Sequence, residues 1–322
     1  MCTRNSSADA FAITPSDISN QPPGLVCGTS LTRPVLKMQS TKSIFKNTVV
    51  QILWHGRHIF GLPPRNIHES KFRLLVEHNK NKSISYGKVM LPWGMVEYTD
   101  SGAICQQLQS IYFDKIYQFD STPVNGRPIR IVDCGSNIGI SAIWFLQNYP
   151  GCELTCYEAD ERLVKVAKGN IQRAGFSGDH VVNAAVWTED GKIGFAGSGD
   201  DKGSVSNESE KSVDCIDLSR AIPEETDLLK MDIEGAEFPV LKKLFDSGAI
   251  DRVQRIAVEL HDVDARLAEF AQLLTAFENA GFFVRFRGGN LPWLEAKAAT
   301  PMDFPSISNG PLYYDFYATK VG

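Results

Sequence analysis

From residue 128 onward, short apolar segments of strand character alternate with segments whose apolar residues recur at helical spacing. The strand-like segments include 129–133, 153–158 and 227–232, and the helical ones include 160–174 and 237–247. Strands that alternate with helices predict βαβ units, because parallel neighbours need a helical crossover. We therefore expect an α/β fold in which a doubly wound, mostly parallel sheet is covered by helices.

The same alternation predicts the remaining elements. Further strands are expected at 180–183, 255–259, 282–286 and 313–319, and further helices at 138–148 and 265–280. Three of the predicted helices stop at a glycine, the residue that most readily adopts the left-handed conformation of a helix cap: Gly175, Gly248 and Gly281.

The chain divides into three parts by composition. It has 322 residues, of which 43% are hydrophobic, enough for one α/β domain with an extension. Residues 1–42 are rich in Ser, Thr, Asn and Pro without periodicity, which predicts a flexible tail. Residues 43–122 are predicted to be an accessory region that caps the substrate. Residues 123–322 are predicted to be the main domain.

The accessory region carries mixed signals. Strands are predicted at 49–54 and 72–77, and a turn is predicted at 79–82. A helix is predicted from Ser101 to Phe119 because its apolar residues form a rough stripe. Five aromatic residues are candidates to stack on a sugar ring, although aromatic residues in loops are equally often at the edge of a core: Trp54, Trp93, Tyr112, Tyr117 and Trp293.

Charge, cysteines and hydropathy exclude several classes of protein. The formal net charge of −5 speaks against a nucleic-acid partner, because phosphate contacts need a basic surface. The seven cysteines include no Cys-x-x-Cys pair, and several lie in apolar runs, which predicts buried free thiols. No apolar signal segment and no run of 18 apolar residues occurs, so a cytoplasmic protein without a membrane span is expected. The oligomeric state is unknown from the sequence.

A polar residue stands at the end of each of five predicted strands. In doubly wound sheets, ligands bind in the crevice outside the carboxyl ends of the strands. The side chains at these ends are therefore the candidates for ligand binding and catalysis: Asp133, Glu158, Asn183, Asp232 and Glu259.

The first of these strands runs into the glycine loop Asp133-Cys-Gly-Ser-Asn-Ile-Gly139, with Ser136 and Asn137 between the glycines. Glycine lets a backbone turn tightly into a helix, whose free N–H groups face the ligand. Gly135 and Gly139 are spaced differently from a dinucleotide fingerprint, and no third glycine follows. A nucleoside that carries an amino-acid group fits better, because Asp133 can meet its cationic amine.

The next two strand ends complete this candidate cofactor site. An acid at the position of Glu158, which ends the second strand, typically accepts hydrogen bonds from both ribose hydroxyls. Asn183 and Ala184 end the third strand, where an adenine edge is expected.

The stretch from Leu229 to Glu237 holds three carboxylates within six residues, at a strand end that leads into a helix. His261 follows the next strand, and its imidazole has a pKa suited to a general base. An alternative is that Asp232, Glu237, Glu259 and His261 bind a divalent metal that polarises a hydroxyl. A metal is possible, but the sequence does not indicate one.

These motifs together resemble the FkbM family of S-adenosylmethionine-dependent methyltransferases. The likeness covers about residues 105–286 and is carried by four segments: 133–139, 157–160, 183–187 and 229–237. It implies a Rossmann-like class I methyltransferase fold with a seven-stranded sheet. It also implies O-methylation of a hydroxyl, on a sugar, glycolipid or polyketide-type acceptor.

The resemblance implies roles for single residues. Gly135, Asn137 and Gly139 would cradle the methionine part of S-adenosylmethionine, and Glu158 would hold the ribose. Asp232 would face the methyl donor.

For the chemistry we expect Asp232, Glu237 and His261 to be the catalytic residues. His261 or Glu237 would take the proton of the acceptor hydroxyl, and Asp232 would orient donor or acceptor. Two alternatives stay open: a catalytically silent protein that binds the cofactor as a partner or regulator, and a nucleotide-dependent reductase. The absent third glycine speaks against the reductase.

Overall fold

The structure is a computed structural model. It describes residues 66–80, 86–120, 126–196, 204–205, 211–288 and 314–320. The tail predicted at 1–42 and the strand predicted at 49–54 lie outside these residues.

The described part of the accessory region consists of a helix, a hairpin and a second helix. Helix α1 spans Ile67–Lys80, and strand β1 (Gly87–Leu91) pairs antiparallel with β2 (Gly94–Tyr98). Helix α2 (Ser101–Gln107) continues as a π-helical segment, Leu108–Phe113. The helix predicted from Ser101 is therefore confirmed in its first part.

The strand predicted at 72–77 is wrong, because α1 covers these residues. The turn predicted at 79–82 is wrong in its first half for the same reason, and its second half lies outside the described residues. The capping residue before the helix was overlooked: the side chain of Asn66 accepts a hydrogen bond from the backbone N–H of Glu69 at 3.0 Å. Ser70 then donates to the carbonyl of Met90 at 2.9 Å, which joins α1 to the hairpin.

The main domain begins with alternating strands and helices. In chain order they are β3 (Arg130–Cys134), α3 (Ile140–Asn148), β4 (Glu153–Glu158), α4 (Glu161–Arg173) and β5 (Val181–Asn183). Four short strands follow: β6 (Ala185–Trp187), β7 (Gly191–Ala196), β8 (Ser204–Val205) and β9 (Ser212–Asp217). The last elements are α5 (Leu218–Ala221), β10 (Leu228–Met231), α6 (Glu237–Asp246), β11 (Arg255–Leu260), α7 (Leu267–Asn279), β12 (Phe282–Gly288) and β13 (Tyr314–Lys320).

Seven strands form the central sheet, in the order β12-β13-β11-β10-β3-β4-β5. The pairs from β5 to β11 are parallel, and β13 runs antiparallel between β11 and β12. This confirms the predicted doubly wound, mostly parallel, seven-stranded α/β fold. The strand order reverses between β3 and β10, so the crevice outside their carboxyl ends is the expected ligand site.

Helices cover the sheet on both faces. Buried side chains of α3 and α4, such as Phe145 and Ile171, pack on one face, and those of α6 and α7, such as Leu244 and Phe277, pack on the other. Val96 of the hairpin and Leu108 of the π-helical segment belong to the first of these cores. The described accessory elements therefore share a core with the main domain.

A hydrogen-bonded asparagine fixes the hairpin to helix α4. Asn170 is fully buried, accepts from the backbone N–H of Glu97 at 2.8 Å and donates to its carbonyl at 2.9 Å. It also donates to the carbonyl of Ile138 at 2.8 Å, just before α3. Asn170 thus supplies hydrogen-bond partners to the backbone of Glu97 in β2, which is an edge strand.

Strands β6 to β9 form a separate four-stranded sheet in the order β6-β9-β7-β8, which the sequence analysis did not predict. The predicted glycine caps are confirmed: Gly175, Gly248 and Gly281 have positive φ values of 92°, 75° and 77°. All five cysteines within the described ranges are buried free thiols. Within the same ranges, no helix combines the length and the apolarity that crossing a membrane requires.

Candidate functional site

The glycine loop lies between β3 and α3 and contacts the strand on either side. The backbone N–H groups of Gly135 and Ser136 donate to the carbonyl of Tyr157, at 2.9 and 3.1 Å. Gly135 has a φ of +78°, and a Cβ atom there would lie 1.7 Å from the carbonyl oxygen of Asp232. Only glycine fits this position, because both the backbone angle and the contact exclude a side chain.

Glu158 ends β4 beside this loop, and its carboxylate is held by the backbone. One oxygen accepts from the N–H of Asn137 and the other accepts from the N–H of Asp160, each at 2.9 Å. Burial raises the pKa of Glu158, although these hydrogen bonds oppose the shift. Each carboxylate oxygen keeps a second acceptor position, so the pair can receive two hydroxyl groups.

Asp133 lies behind the glycine loop and is completely buried. Ser141 donates to its carboxylate at 2.6 Å, and the ammonium of Lys230 lies 3.1 Å from its other oxygen. The cation that Asp133 meets is therefore Lys230, whereas the sequence analysis expected a ligand amine.

Lys230 was not recognised from the sequence as a site residue. Its ammonium donates to the carbonyls of Gly135 at 2.6 Å and Cys134 at 3.3 Å. Burial lowers the pKa of Lys230, but the charge of Asp133 outweighs this and raises it, so the group is charged. A lone lysine within the buried strand β10 was the available signal, because a buried charge needs a partner.

Asn183 ends β5 as predicted and Ala184 follows it, and the two side chains differ in orientation. The Asn183 amide donates to the carbonyls of Glu158 and Ala159, each at 3.0 Å, and so braces the end of β4. Ala184 is buried and lines the cavity together with Val186.

A cavity of about 430 Å³ opens over the carboxyl ends of β4, β3, β10 and β11. Its volume lies in the range of about 300–1,000 Å³ that is typical of small-molecule sites. The accessory region supplies one wall, which is mostly polar and ends at Tyr117: Gln106, Gln107, Ser110 and Asp114. Ser136 lines the opposite wall, is 2% exposed, and its hydroxyl has no hydrogen-bond partner among the described residues.

Asp232, Glu234 and Glu259 line the other end of the cavity. Burial raises the pKa of Asp232, and burial with the charge of Asp232 raises the pKa of Glu259 to about 8. The Asp232 carboxylate has no hydrogen-bond partner among the described residues, and the loop after it turns at Glu234 with a φ of +53°. Asp315 is a further acidic residue in the cavity lining.

Glu237 begins α6 and does not line the cavity. It is completely buried, and its carboxylate accepts from the backbone N–H groups of Ile233 at 2.9 Å and Gly235 at 3.0 Å. His261 Nδ1 lies 3.0 Å from the same carboxylate. The structure thus places Glu237 as a support for the loop and for His261.

His261 follows β11 and lies behind the carboxylates of the cavity wall. Its Nε2 atom is 3.6 Å from an oxygen of Glu234 and 3.6 Å from an oxygen of Glu259. Burial lowers the pKa of His261, but the hydrogen bond and charge of Glu237 outweigh this and raise it to about 10. With the groups present here, the imidazole therefore holds its proton at neutral pH, which is the form of a donor.

A family model and a curated relative match this chain. Residues 133–284 match the family model described as the methyltransferase FkbM domain, which confirms the resemblance found in the sequence. "Methyltransferase 1" of Beauveria bassiana (strain ARSEF 2860) is 26% identical over 205 residues, which cover 55% of this chain and 80% of the relative.

Solved structures with a similar fold include methyltransferases. Methyltransferase FkbM from Methylobacillus flagellatus aligns over 85% of this chain and 60% of its own, with a TM-score of 0.40 and 13% identity. The M. jannaschii protein TYW2 in complex with AdoMet aligns over 74% of this chain and 88% of its own, with a TM-score of 0.39 and 10% identity.

Proposed function

We propose that this protein, whose residues 133–284 are an FkbM-type S-adenosylmethionine-dependent methyltransferase domain, methylates a hydroxyl oxygen of a polyhydroxylated acceptor of the sugar, glycolipid or polyketide type. One observation carries the proposal. A single cavity joins the glycine loop and Glu158 at one end to Asp232 and Glu259 at the other. A donor held at the first end would thus present its methyl group to an acceptor at the second.

The residues at the first end fit S-adenosylmethionine. Glu158 offers a preorganised carboxylate to the ribose hydroxyls. The hydroxyl of Ser136, which has no partner within the described ranges, offers one to the amino-acid part. Gly135 leaves a surface without a side chain beside them. When bound, S-adenosylmethionine supplies a methyl group on a positively charged sulfur, which needs positioning more than further activation.

The second end favours a neutral acceptor rich in hydroxyl groups. Carboxylates accept hydrogen bonds from hydroxyls, and Asp232, Glu234 and Glu259 lie within one wall. The same charges repel phosphate or carboxylate groups on an acceptor. We therefore expect neutral glycosides to be accepted in preference to sugar phosphates or uronic acids.

The proton of the hydroxyl passes to Glu259 in this proposal. Glu259 lines the cavity and ends β11 next to Asp232, whereas Glu237 is enclosed. As the carbon–oxygen bond forms, the carbon–sulfur bond breaks, the sulfur keeps the electron pair and the oxygen loses its proton to Glu259 in its ionised form. The ionised share of Glu259 rises with pH, because its pKa is raised to about 8.

A labelled-methyl assay tests the proposal. Full-length protein is incubated with S-adenosylmethionine labelled in the methyl group and with paired acceptors, each a neutral glycoside and its phosphorylated form. We expect label in an ether of the neutral glycoside, located by NMR. Label on nitrogen or carbon, or a protein that binds the donor and labels none of the hydroxylated acceptors, would contradict it.

A further inference from the structure

We infer that Asp232, Glu234 and His261 together bind a divalent cation at the acceptor end of the cavity, and that this ion chelates a vicinal diol of the acceptor. The cation site stands on the geometry alone. The diol part rests on the proposed function.

The three side chains converge from two neighbouring strand ends. One ligand atom from each lies within 4.8 Å of the others, and all three residues are half-buried. Ligand atoms about 2.1 Å from one ion lie roughly 3.0–4.2 Å apart, depending on the angle between them. The 3.6 Å between His261 Nε2 and the Glu234 oxygen is within this range and is too long for a hydrogen bond.

The imidazole of His261 is oriented as in a metal ligand. Its Nδ1 faces the completely buried carboxylate of Glu237 at 3.0 Å, so its Nε2 faces the cluster. Histidines that bind metals usually donate their other N–H to a carboxylate, which fixes the ring and increases its basicity. In this arrangement Glu237, which does not line the cavity, orients the imidazole of His261 towards the ion.

The carboxylate of Asp232 needs a partner that the described residues do not provide. The buried cation of Lys230 pairs with Asp133 and the glycine loop. A half-buried carboxylate without hydrogen bonds is costly, and a bound cation removes this cost.

A cationic acceptor is the main alternative to a metal ion. An ammonium group would also neutralise Asp232 and Glu234, but it would compete with a protonated imidazole for the same carboxylates. A metal ion instead displaces the proton from Nε2 of His261 and uses the neutral imidazole as a ligand. The histidine beside the carboxylates therefore favours a metal.

The ligand types select the kind of ion and the kind of acceptor. Two carboxylates with one imidazole suit Mg²⁺ or Mn²⁺ better than a soft ion. An ion with about six ligands would keep about three positions for water or substrate. Two adjacent oxygens of a diol can occupy these, and a hydroxyl on the ion loses its proton more easily.

Manganese binding tests the site without catalysis. Full-length protein freed of metal by chelator and dialysis is titrated with Mn²⁺ alone, and the free ion is followed by electron paramagnetic resonance. We expect one ion per chain, displaced by excess Mg²⁺. We expect at least about 10-fold weaker binding in Asp232→Asn, Glu234→Gln and His261→Ala, and about 10-fold weaker binding in Glu237→Gln through the orientation of His261.

Matched variants serve as controls. Glu153→Gln and His180→Ala change an acid and a histidine outside the cavity lining and should leave Mn²⁺ binding unchanged. Circular dichroism confirms that each variant is folded. Glu234 has a side chain that is 34% exposed, so its variant keeps the test valid if the others fail to fold.

Several outcomes would overturn the inference. The metal site would be ruled out if the wild-type protein did not bind Mn²⁺, or if the wild type and the three ligand variants bound it equally. Equal methylation of a vicinal diol and its singly deoxygenated analogue would rule out chelation of a diol by the ion. S-adenosylhomocysteine is titrated into the same metal-free protein, so that donor binding without Mn²⁺ binding refutes the ion and leaves the proposed function standing.

Discussion

The two ends of the cavity are built in different ways. At the donor end, backbone groups hold the functional side chain: two N–H groups fix Glu158, and the loop that supplies one of them is kept in place by the carbonyl of Tyr157. At the acceptor end, backbone N–H groups also hold Glu237, but a side-chain pair is added, because Glu237 at the start of α6 binds His261 after β11. The donor end therefore depends on backbone hydrogen bonds, and the acceptor end also depends on a side-chain pair. Both ends form only once separate strands have assembled, because Asn137 and Glu158 are 21 residues apart and Glu237 and His261 are 24 residues apart.

The two ends meet at one backbone contact. Gly135 packs against the carbonyl of Asp232. The ammonium of Lys230 donates to the carbonyl of Gly135 and pairs with the carboxylate of Asp133. A change at this contact should disturb both ends, and a change within either end should disturb that end alone.

The largest effect is expected from Gly135→Ala. A left-handed φ costs a residue with a Cβ about 1–2 kcal/mol, and the overlap with the Asp232 carbonyl adds about 1–3 kcal/mol. We expect the free energy of unfolding, measured with urea, to fall by roughly 3 kcal/mol and donor binding to be lost. Gly151→Ala is the control, because Gly151 has a φ of +79° and nothing within 4 Å of an added Cβ. Equal losses in the two variants would show that the contact does not matter.

Glu158→Ala should affect the donor end alone. A hydrogen bond to a charged group contributes about 1.5–3 kcal/mol, so losing two should weaken S-adenosylhomocysteine binding by about 100-fold or more. Titration calorimetry measures this. Glu153→Ala, at the opposite end of the same strand and paired with Arg130, should bind as the wild type does. A change of less than about 10-fold, roughly 1.4 kcal/mol, in Glu158→Ala would argue against the ribose role.

His261→Ala should affect the acceptor end alone. Removing an oriented group of this kind typically costs about 10–100-fold in activity, and we expect that loss in kcat/KM with donor affinity changed by less than about 3-fold, or about 0.7 kcal/mol. His180→Ala is the matched control, since its ring contacts the carbonyl of Leu154. A loss of donor binding equal to the loss of turnover would mean that the two ends are not separate.

The smallest effect is expected from Asp160→Ala. Asp160 caps helix α4 by accepting from the N–H of Arg162 at 2.8 Å, and such a cap contributes about 1 kcal/mol. Burial raises its pKa, but the hydrogen bonds from Arg162 outweigh this and lower it below the usual 3.8. The stabilisation by its charge is therefore present above about pH 4 and is lost as the pH falls through the lowered pKa. Urea unfolding at several pH values checks this, and Asp160→Asn, which keeps a capping oxygen, should retain most of the stability at neutral pH.

Features that depend on neighbouring residues could be predicted from the sequence better than features that depend on contacts between strands. The strand β4 and the glycine caps agree with prediction because turn residues and hydrophobic spacing act within a few positions. The positive φ of Gly135 follows from the same local rules, whereas its contact with the carbonyl of Asp232 does not. The accessory region was predicted less well: the apolar run at 72–77 suggested a strand, but Asn66 caps a helix there, and the hairpin β1–β2 was missed.

At the acceptor end, residues predicted from the sequence lie close together, but their partners were not predicted. Asp232, Glu237 and His261 do lie together, yet nothing in their spacing says that Glu237 faces the backbone while Glu259 faces the cavity. Lys230 was missed for the same reason, since its partner Asp133 is on a neighbouring strand. Which polar group a carboxylate meets is decided by strand register, and register is a property of the assembled sheet.

The most direct test of the two-ended site is a crystal structure of the full-length protein with S-adenosylhomocysteine. We expect the ribose hydroxyls within hydrogen-bond distance of the Glu158 carboxylate, about 2.5–3.0 Å, the amino-acid part against Gly135 and Ser136, and the sulfur directed towards Asp232. A nucleoside bound among Asp232, Glu234 and Glu259, with Glu158 making no contact to it, would contradict the account.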